Sequence, residues 1–236
     1  MLKLSVIPSE IITNTRIFEY FDGSIEVVLF SPCWVRNIGS DLERNQSRCQ
    51  RGTSENYEQN HLQAIKKAKT KVRRLIFQYG FKYLYTIKFG ADSLSIVDGD
   101  RRISKLRREL KKSCSSFKDY ILTRSYDNNL LYYKLLTNVF IYEQINTIWE
   151  QGSFSFEHYG KHLKELHQVF TDSFDDKRFV GYNSYSVAKG TTLVYQEEYF
   201  PGLTLAKNYI GANYPGMKKV YERKYLNGKV TNLFYE

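Results

Sequence analysis

The chain has 236 residues, of which 42% are hydrophobic and 25% charged, so we expect one large or two small folded domains and exclude wholesale disorder. The formal net charge is +10, and such an excess of Lys and Arg favours a polyanionic partner, either nucleic acid or an anionic membrane surface. No segment approaches the roughly 18 apolar residues of a membrane span, and the N-terminal "MLKLSVIPSEIITN" lacks the apolar core of a signal peptide. We therefore expect a cytoplasmic protein that does not insert into a membrane.

The cysteine and glycine patterns exclude several common site types. Cys33, Cys49 and Cys114 are an odd number without a Cys-x-x-Cys pair, which predicts neither a zinc knuckle nor a disulfide framework. The 14 glycines are scattered, so no phosphate-binding glycine loop is predicted.

A β-hairpin is predicted near each end of the chain. Residues 16–30 form two β-rich runs around Asp22-Gly23, and residues 220–235 form two more around Asn227-Gly228. Both dipeptides favour the tight turns of two-residue hairpin loops. The polar stretch 36–57 predicts a connector. We therefore expect a hairpin-and-connector region over 1–55 and a single domain over 56–236.

Between the hairpins, helical and strand patterns alternate. A helix is predicted over 55–79, where apolar residues recur at helical intervals and Gly80 supplies the stop. The next elements are a strand over 82–89, a helix over 101–113, strands over 117–126 and 131–137, a helix over 142–152 and an extended piece over 153–156. This β-α-β-β-α-β order predicts an α+β fold with a split, ferredoxin-like antiparallel sheet, one face covered by helices and the other open.

Basic residues cluster on the two helices, opposite their apolar stripes. As nucleic-acid-binding candidates on these helices we take Lys66, Lys67, Arg73, Arg74, Arg101, Arg102, Arg107 and Arg108. Aromatic residues interleave with lysines in segments such as "FKYLYTIKF" and "YYKLL". Rings that face outward, with Tyr85 and Tyr133 as candidates, would stack on bases while the cations follow the phosphates. The alternative is a tyrosine-rich core.

Several segments also follow one another in a recognisable order. They are "AIKKAKTKVRRLI", the strand "YTIKF", the strand pair over 118–138, "LLTNVFI" with "INTIWEQG", and "KKVYERKYL". From about Asn56 to the C-terminus, this set resembles the HUH-type rolling-circle replication initiators of Gram-positive plasmids and small phages. The resemblance implies an HUH endonuclease-like fold and single-strand DNA nicking through a 5′-phosphotyrosine, with Mg²⁺ or Mn²⁺ as the cofactor of an active enzyme.

The chain departs from that family at the metal site. The family carries two histidines on one strand face, and the matching positions here are Tyr132 and Lys134 in "LYYKLLTN". A neutral phenol is a poor ligand and an ammonium is none, so no metal site is predicted. Lys134 and Arg124 could replace the cation electrostatically. Alternatively, catalysis is lost and the face only holds DNA, with Tyr132 and Lys134 as further nucleic-acid-binding residues. A third possibility is an edge-strand lysine that reaches solvent.

The nucleophile implied by the resemblance is a tyrosine on a helix after the sheet. "VGYNSYSVAKG" offers Tyr182 and Tyr185, and "AKNYIGANYPG" offers Tyr209. Neither segment reproduces the family's Tyr-x-x-Lys-Tyr spacing, and aromatic packing is the alternative for each.

Two histidines form a further candidate site. His158 and His162 lie four apart, so on a helix they would share one face and could hold zinc, although no HExxH pattern accompanies them. Solvated histidines are the alternative.

We expect a protein that binds DNA, single-stranded or at an origin, in replication initiation of a small plasmid or viral replicon, with nicking if the site is active. The alternatives are a non-catalytic single-strand nucleic-acid-binding protein and a basic packaging protein.

Overall fold

In the computed structural model, the residues described are 10–37, 57–90, 95–127, 130–176, 178–179, 184–225 and 229–236. They form two compact units. One comprises the described residues of Met1–Arg51 and Val194–Glu236, and the other those of Gly52–Leu193. Each unit contains an antiparallel five-stranded sheet, and the described residues add one α-helix to the first unit and four to the second, which confirms the α+β class.

The described part of the chain contains ten strands and five α-helices. In chain order they are β1 (Glu10–Glu19), β2 (Ile25–Asn37), α1 (Tyr57–Tyr79), β3 (Tyr83–Lys88), α2 (Ile96–Ser113), β4 (Tyr120–Asp127), β5 (Leu130–Thr137), α3 (Tyr142–Ile148), β6 (Phe154–His158), α4 (Leu163–Thr171), β7 (Tyr185–Val187), β8 (Gln196–Glu198), α5 (Leu203–Asn213), β9 (Lys219–Tyr225) and β10 (Val230–Tyr235). A 3₁₀ helix, Asp172–Asp175, continues α4.

The first unit is built from the two predicted hairpins. β1 pairs with β2 and β9 pairs with β10, both antiparallel. Gly23 adopts φ +83°, and the Ser24 N–H donates to Asp22 Oδ1 at 3.0 Å, so the hairpin turns at Asp22-Gly23 as predicted. The Tyr20 N–H donates to the Ser24 carbonyl and the Gly23 N–H to the Tyr20 carbonyl, so the loop comprises residues 21–23 and is one residue longer than expected. The Asn227-Gly228 turn lies outside the described residues.

The two hairpins share one sheet, in the order β8-β1-β2-β10-β9. β10 pairs along β2, with Leu233 opposite Val27. The side chains of Ile17, Val27 and Leu233 form a core with α5. The division therefore differs from the expected 1–55 and 56–236, because the C-terminal segment completes the sheet that the N-terminal hairpin begins.

The second unit has the strand order β6-β3-β5-β4-β7, and every neighbouring pair is antiparallel. α2 connects β3 to β4 and α3 connects β5 to β6. On one face, α2 and α3 pack on Tyr85, Tyr133 and Leu135. Side chains alternate along a strand, so Leu84 and Leu136 belong to the opposite face.

The opposite face is covered as well, so the expectation of an open face is wrong. Leu84, Ile121 and Leu136 are all at most 1% exposed. The Val169 carbonyl of α4 and the Asp172 side chain of the 3₁₀ helix accept hydrogen bonds from Lys134 on this face, and α1 packs against α4. Tyr85 and Tyr133 are also at most 1% exposed, so they cannot stack on bases.

Helix boundaries follow the predicted signals with two differences. α1 ends at Tyr79, and Gly80 follows with φ +59°, as predicted. α2 begins earlier than predicted, at Ile96, where the Ser95 side chain caps the N–H of Asp98. α3 ends at Ile148, short of the expected Gly152. A Cβ on Gly152 would lie 2.1 Å from the Lys88 carbonyl oxygen, so this glycine permits a close backbone approach instead of ending the helix.

Among the described residues, no helix is both long and apolar enough to cross a membrane.

Candidate nucleic-acid interface

The outer face of α2 carries a line of cations. Ile103, Leu106 and Leu110 are buried on its inner face. The α2 cation row comprises four exposed residues spaced at i, i+4, i+7 and i+11: Arg101, Lys105, Arg108 and Lys112. Residues at this spacing share one helix face, and a rise of about 1.5 Å per residue makes the row about 16 Å long.

The middle of the row is not neutralised. Arg101 pairs with Asp98 at 3.6 Å and Lys112 with Glu109 at 3.1 Å. Lys105 and Arg108 have no ion pair within the described part of the chain. Their charges are therefore available to phosphates. Arg102, another predicted binding residue, is half-buried.

α1 presents fewer cations than its sequence indicated. Lys66 and Lys67 are exposed, whereas Arg73 and Arg74 are half-buried. Lys69 pairs with Asp175 of the 3₁₀ helix at 2.7 Å. Of the four binding residues predicted on α1, Lys66 and Lys67 are therefore the two that are fully exposed to solvent.

Arg107 differs from the other predicted binding residues because it lies beside the sheet. Its guanidinium donates to Ser104 Oγ at 3.0 Å and to the Tyr120 hydroxyl at 3.3 Å. Arg107 follows Ile103 by four residues, so it lies at the edge of the apolar stripe. The side chain is half-buried, unlike its neighbour Arg108.

An aromatic cluster lies at the outer edge of the same sheet face. β6 pairs with β3, which places Phe154, Phe156 and His158 on the side of α2 and α3. Phe140 and Phe156 are 48% and 40% exposed, with ring centroids 5.6 Å apart. We define the β6 aromatic patch as Tyr83, Phe140, Tyr142, Phe154, Phe156 and His158, which make ring contacts with one another. These rings were not among the predicted binding residues, although the alternation in "SFSF" indicated a strand with its phenylalanines on one face.

Lys134 stands at a metal-ligand position of the resemblance and forms an ion pair in which the lysine is buried while the Asp172 side chain is 57% exposed. The expected contact of Lys134 with DNA is therefore wrong, because its ammonium is engaged within the protein. Its side chain is 6% exposed, and Nζ donates to Asp172 Oδ1 at 2.6 Å and to the Val169 carbonyl at 2.7 Å. Val169 lies on α4 and Asp172 opens the 3₁₀ helix. The ammonium therefore joins the central strand β5 to the segment that covers it. Asp172 could not be predicted as this partner, because the pair spans 38 residues and no local pattern connects them.

Tyr132 lies on the same face as Lys134 but is half-buried. Burial raises the pKa of its phenol, although a hydrogen bond with Ser125 opposes the shift, so the hydroxyl stays protonated near neutral pH. A protonated phenol beside an ammonium offers a divalent cation no suitable ligand pair. These residues do not fit the Mg²⁺ or Mn²⁺ that the resemblance implies.

The two candidate nucleophiles that the structure describes, Tyr185 and Tyr209, lie on different elements, one in each unit. Tyr182 lies outside the described residues. Tyr185 is on β7, where its ring stacks on Phe174 at 5.9 Å. Tyr209 is on α5 of the other unit, and its hydroxyl accepts from Gln196 Nε2 at 3.0 Å. α4, the helix that contacts Lys134, contains no tyrosine.

The histidines do not share a helix face. His158 ends β6 and stacks on Tyr83 at 4.9 Å, whereas His162 precedes α4. His167, on α4, bonds to the Lys69 carbonyl at 3.1 Å. The described residues contain no group of three His, Cys, Asp or Glu side chains that could hold a metal ion.

No protein-family model, curated protein or solved structure matches the chain. The resemblance to replication initiators therefore depends on the order of elements and on the residues quoted above.

The Lys134–Asp172 pair predicts a stability difference between two similar variants. Asp172→Asn leaves a buried ammonium without its counter-charge and should lower the free energy of unfolding by about 1–3 kcal/mol. Lys134→Met removes the buried charge and should cost less than about 1 kcal/mol. Denaturant unfolding followed by circular dichroism measures both.

Asp175→Asn is the matched control, because Asp175 lies on the same 3₁₀ helix and pairs with the more exposed Lys69, whose side chain is 29% exposed. Its cost should stay below about 0.5 kcal/mol. A larger loss for Lys134→Met than for Asp172→Asn would contradict the role assigned to the pair.

His167 predicts a loss of stability in mild acid. Burial lowers the pKa of its imidazole below the ordinary 6.5, so the folded state favours the neutral ring. Below about pH 6.5 the imidazole therefore takes up a proton on unfolding. The contribution of the neutral His167 to the free energy of unfolding is fully present above this pH and is lost as the pH falls toward the pKa of the folded state. The slope is at most about 1.4 kcal/mol per pH unit for one group.

His167→Gln keeps a donor for the Lys69 carbonyl and should reduce the pH dependence of unfolding between pH 7 and pH 5. His162→Gln is the control, because the His162 side chain is 71% exposed. Equal pH dependence in wild type and His167→Gln would exclude His167 as the responsible group.

Proposed function

We propose that this chain is a single-strand DNA-binding protein related to the rolling-circle replication initiators of small plasmids and phages, and that it binds DNA without nicking it. The observation that carries the proposal is the α2 cation row, in which Lys105 and Arg108 are exposed and have no ion pair within the described residues. A binding role without chemistry also agrees with the net charge of +10.

The strand order supports the relation to the initiators. β6-β3-β5-β4, with α2 and α3 as the two connections, has the 4-1-3-2 order that a split β-α-β-β-α-β unit produces. β7 adds a fifth strand beside β4. We propose an HUH endonuclease-like, ferredoxin-like domain on this basis.

The β6 aromatic patch supports a single strand as the ligand. It lies on the sheet side that α2 and α3 cover, and α3 contacts α2. Unpaired bases can stack on exposed rings such as Phe140 and Phe156, while phosphates meet the cation row. A packaging protein would need the charges but not the rings.

The loss of nicking is supported by the residues at the family's active-site positions. Lys134 is committed to Asp172, and α4 carries no tyrosine above it. The family's metal-binding position therefore carries a lysine ammonium in place of a metal ion. The helix over this position, α4, has no tyrosine that could act as the nucleophile.

The α2 cation row predicts where DNA binding can be weakened. Lys105→Glu with Arg108→Glu should lower the affinity for a fluorescent oligothymidylate and reduce the dependence of log K on log salt by roughly 1.4, since each single-strand phosphate contact contributes about 0.7. Fluorescence anisotropy across a salt series measures both quantities.

Arg223→Glu with Lys224→Glu is the matched control, because these exposed β9 residues give the same change in net charge. Phe140→Ala with Phe156→Ala should lower affinity by about 1–3 kcal/mol per unstacked base while leaving the salt slope unchanged. Equal effects from the α2 and β9 pairs would show that only net charge matters, against the proposed interface.

The strand chemistry predicts a Mn²⁺ site that can be restored. Wild type should bind no Mn²⁺ at β5, whereas Tyr132→His with Lys134→His places two imidazoles on one strand face. Asp172, whose carboxylate lies 2.6 Å from the present ammonium, can supply a third ligand. Titration calorimetry should show Mn²⁺ binding in the double variant and weaker binding when Asp172→Asn is added.

Mn²⁺ binding by the wild type that Asp172→Asn removes would overturn this account of the strand. So would metal-dependent nicking of single-stranded DNA that is abolished by Tyr182→Phe, Tyr185→Phe or Tyr209→Phe.

A further inference from the structure

A cavity of about 210 Å³ lies between α2 and the β4–β7 edge of the second unit's sheet. Its wall includes two guanidinium groups, those of Arg107 and Arg124, and a carboxylate, that of Asp100. Serine residues line it from two elements, Ser104 on α2 and Ser186 on β7. One liquid water occupies about 30 Å³, so the cavity has room for several waters or one small organic anion.

Arg107 is the residue whose position needs an explanation. Among the residues that the structure describes, its terminal nitrogens donate to the neutral hydroxyls of Ser104 and Tyr120. Its Nε is buried and has no hydrogen-bond partner, and Arg107 forms no ion pair with any residue that the structure describes. A buried donor without an acceptor costs free energy unless a ligand or water meets it.

The other charges of the cavity do not neutralise Arg107. Asp100 accepts a hydrogen bond from the Tyr133 hydroxyl at 2.6 Å and pairs with Arg124 at 3.7 Å. Within the described residues, the Asp100 carboxylate is thus engaged by Tyr133 and Arg124 and makes no ion pair with Arg107. The α2 cation row on the same helix adds to the positive potential, which favours entry of an anion.

We propose that this cavity binds the phosphate group of a nucleotide, with Arg107 as its principal cation. A phosphate accepts hydrogen bonds in several directions, which suits guanidinium groups from α2 and β4 together with serine hydroxyls from α2 and β7. The cavity lies on the α2 face of the sheet, opposite the Lys134–Asp172 pair, so its role is separate from the lost nicking site.

The phosphate has two possible sources, a free nucleoside monophosphate or the 5′-terminal phosphate of a DNA strand. Titration calorimetry with thymidine monophosphate against thymidine measures the first. Anisotropy with 5′-phosphorylated against 5′-hydroxyl octathymidylate measures the second. A gain from the phosphate in either pair supports the proposal and identifies the source.

Arg107→Met should reduce the gain from the phosphate by about tenfold or more, the loss typical of a charge-assisted hydrogen bond. Arg223→Met, on an exposed position of β9, is the control and should keep the gain. Ser186→Asp is a second variant, which introduces a repelling carboxylate without touching Arg107. Circular dichroism melting shows whether each variant is folded.

The proposal is overturned if phosphate adds no affinity in either ligand pair, if the gain survives both Arg107→Met and Ser186→Asp, or if Arg223→Met removes it equally. Affinity for the 5′-hydroxyl oligonucleotide tests the proposed DNA-binding function separately, because it does not involve the terminal phosphate.

Discussion

A charged side chain on the central strand of a covered sheet must be neutralised, and the Lys134–Asp172 pair meets this requirement in the second unit. β5 lies between β3 and β4, so Lys134 projects from the middle of the sheet. Its hydrogen bonds to Val169 and Asp172 hold α4 and the 3₁₀ helix over that face. The pair is a constraint on position more than a source of stability, because the desolvation of an ammonium offsets much of its attraction to a carboxylate.

This constraint divides the unit into a closed side and an accessible side. Beneath α4 the strand residues pack or pair within the protein, which leaves little access for a phosphate. On the side of α2, cations and rings face solvent at the helix surface and at the β6 edge. In the proposed function, DNA meets the covering layer and the sheet edge, whereas the resemblance alone would place it on the strands themselves.

Local patterns predicted the elements well and the layers poorly. Asp22-Gly23, Gly80 and the helical spacing of Ile103, Leu106 and Leu110 each reflect short-range geometry, and the structure agrees with them. The side of the sheet on which Tyr85 and Tyr133 lie could not be predicted in this way. Both faces of the sheet are buried, so the sequence of the strands shows no alternation of polar and apolar residues that would distinguish them.

The candidate site shows the same limit. The exposure of Lys66, Lys67, Arg101 and Arg108 followed from helix periodicity, since each lies away from an apolar stripe. The partners of Lys134 and of Arg107 did not, because Asp172 and Tyr120 come from other elements and only the fold brings them close. Helix periodicity does predict the position of Arg107 beside the sheet, because the buried Ile103 lies one turn before it.

The shared sheet of the first unit has a consequence for synthesis of the chain. β2 acquires its partner β10 only after the whole of the second unit has left the ribosome, with Asn232 bonded to Glu26 across 206 residues. Contacts this distant form slowly, and until then one edge of β2 is open to pairing with other chains. The second unit lies between β2 and β10 in the sequence, and domains generally fold as units during translation. Its early folding would reduce the conformational freedom of the chain that connects β2 to β10. Prior folding of the second unit therefore favours the correct closure of the first.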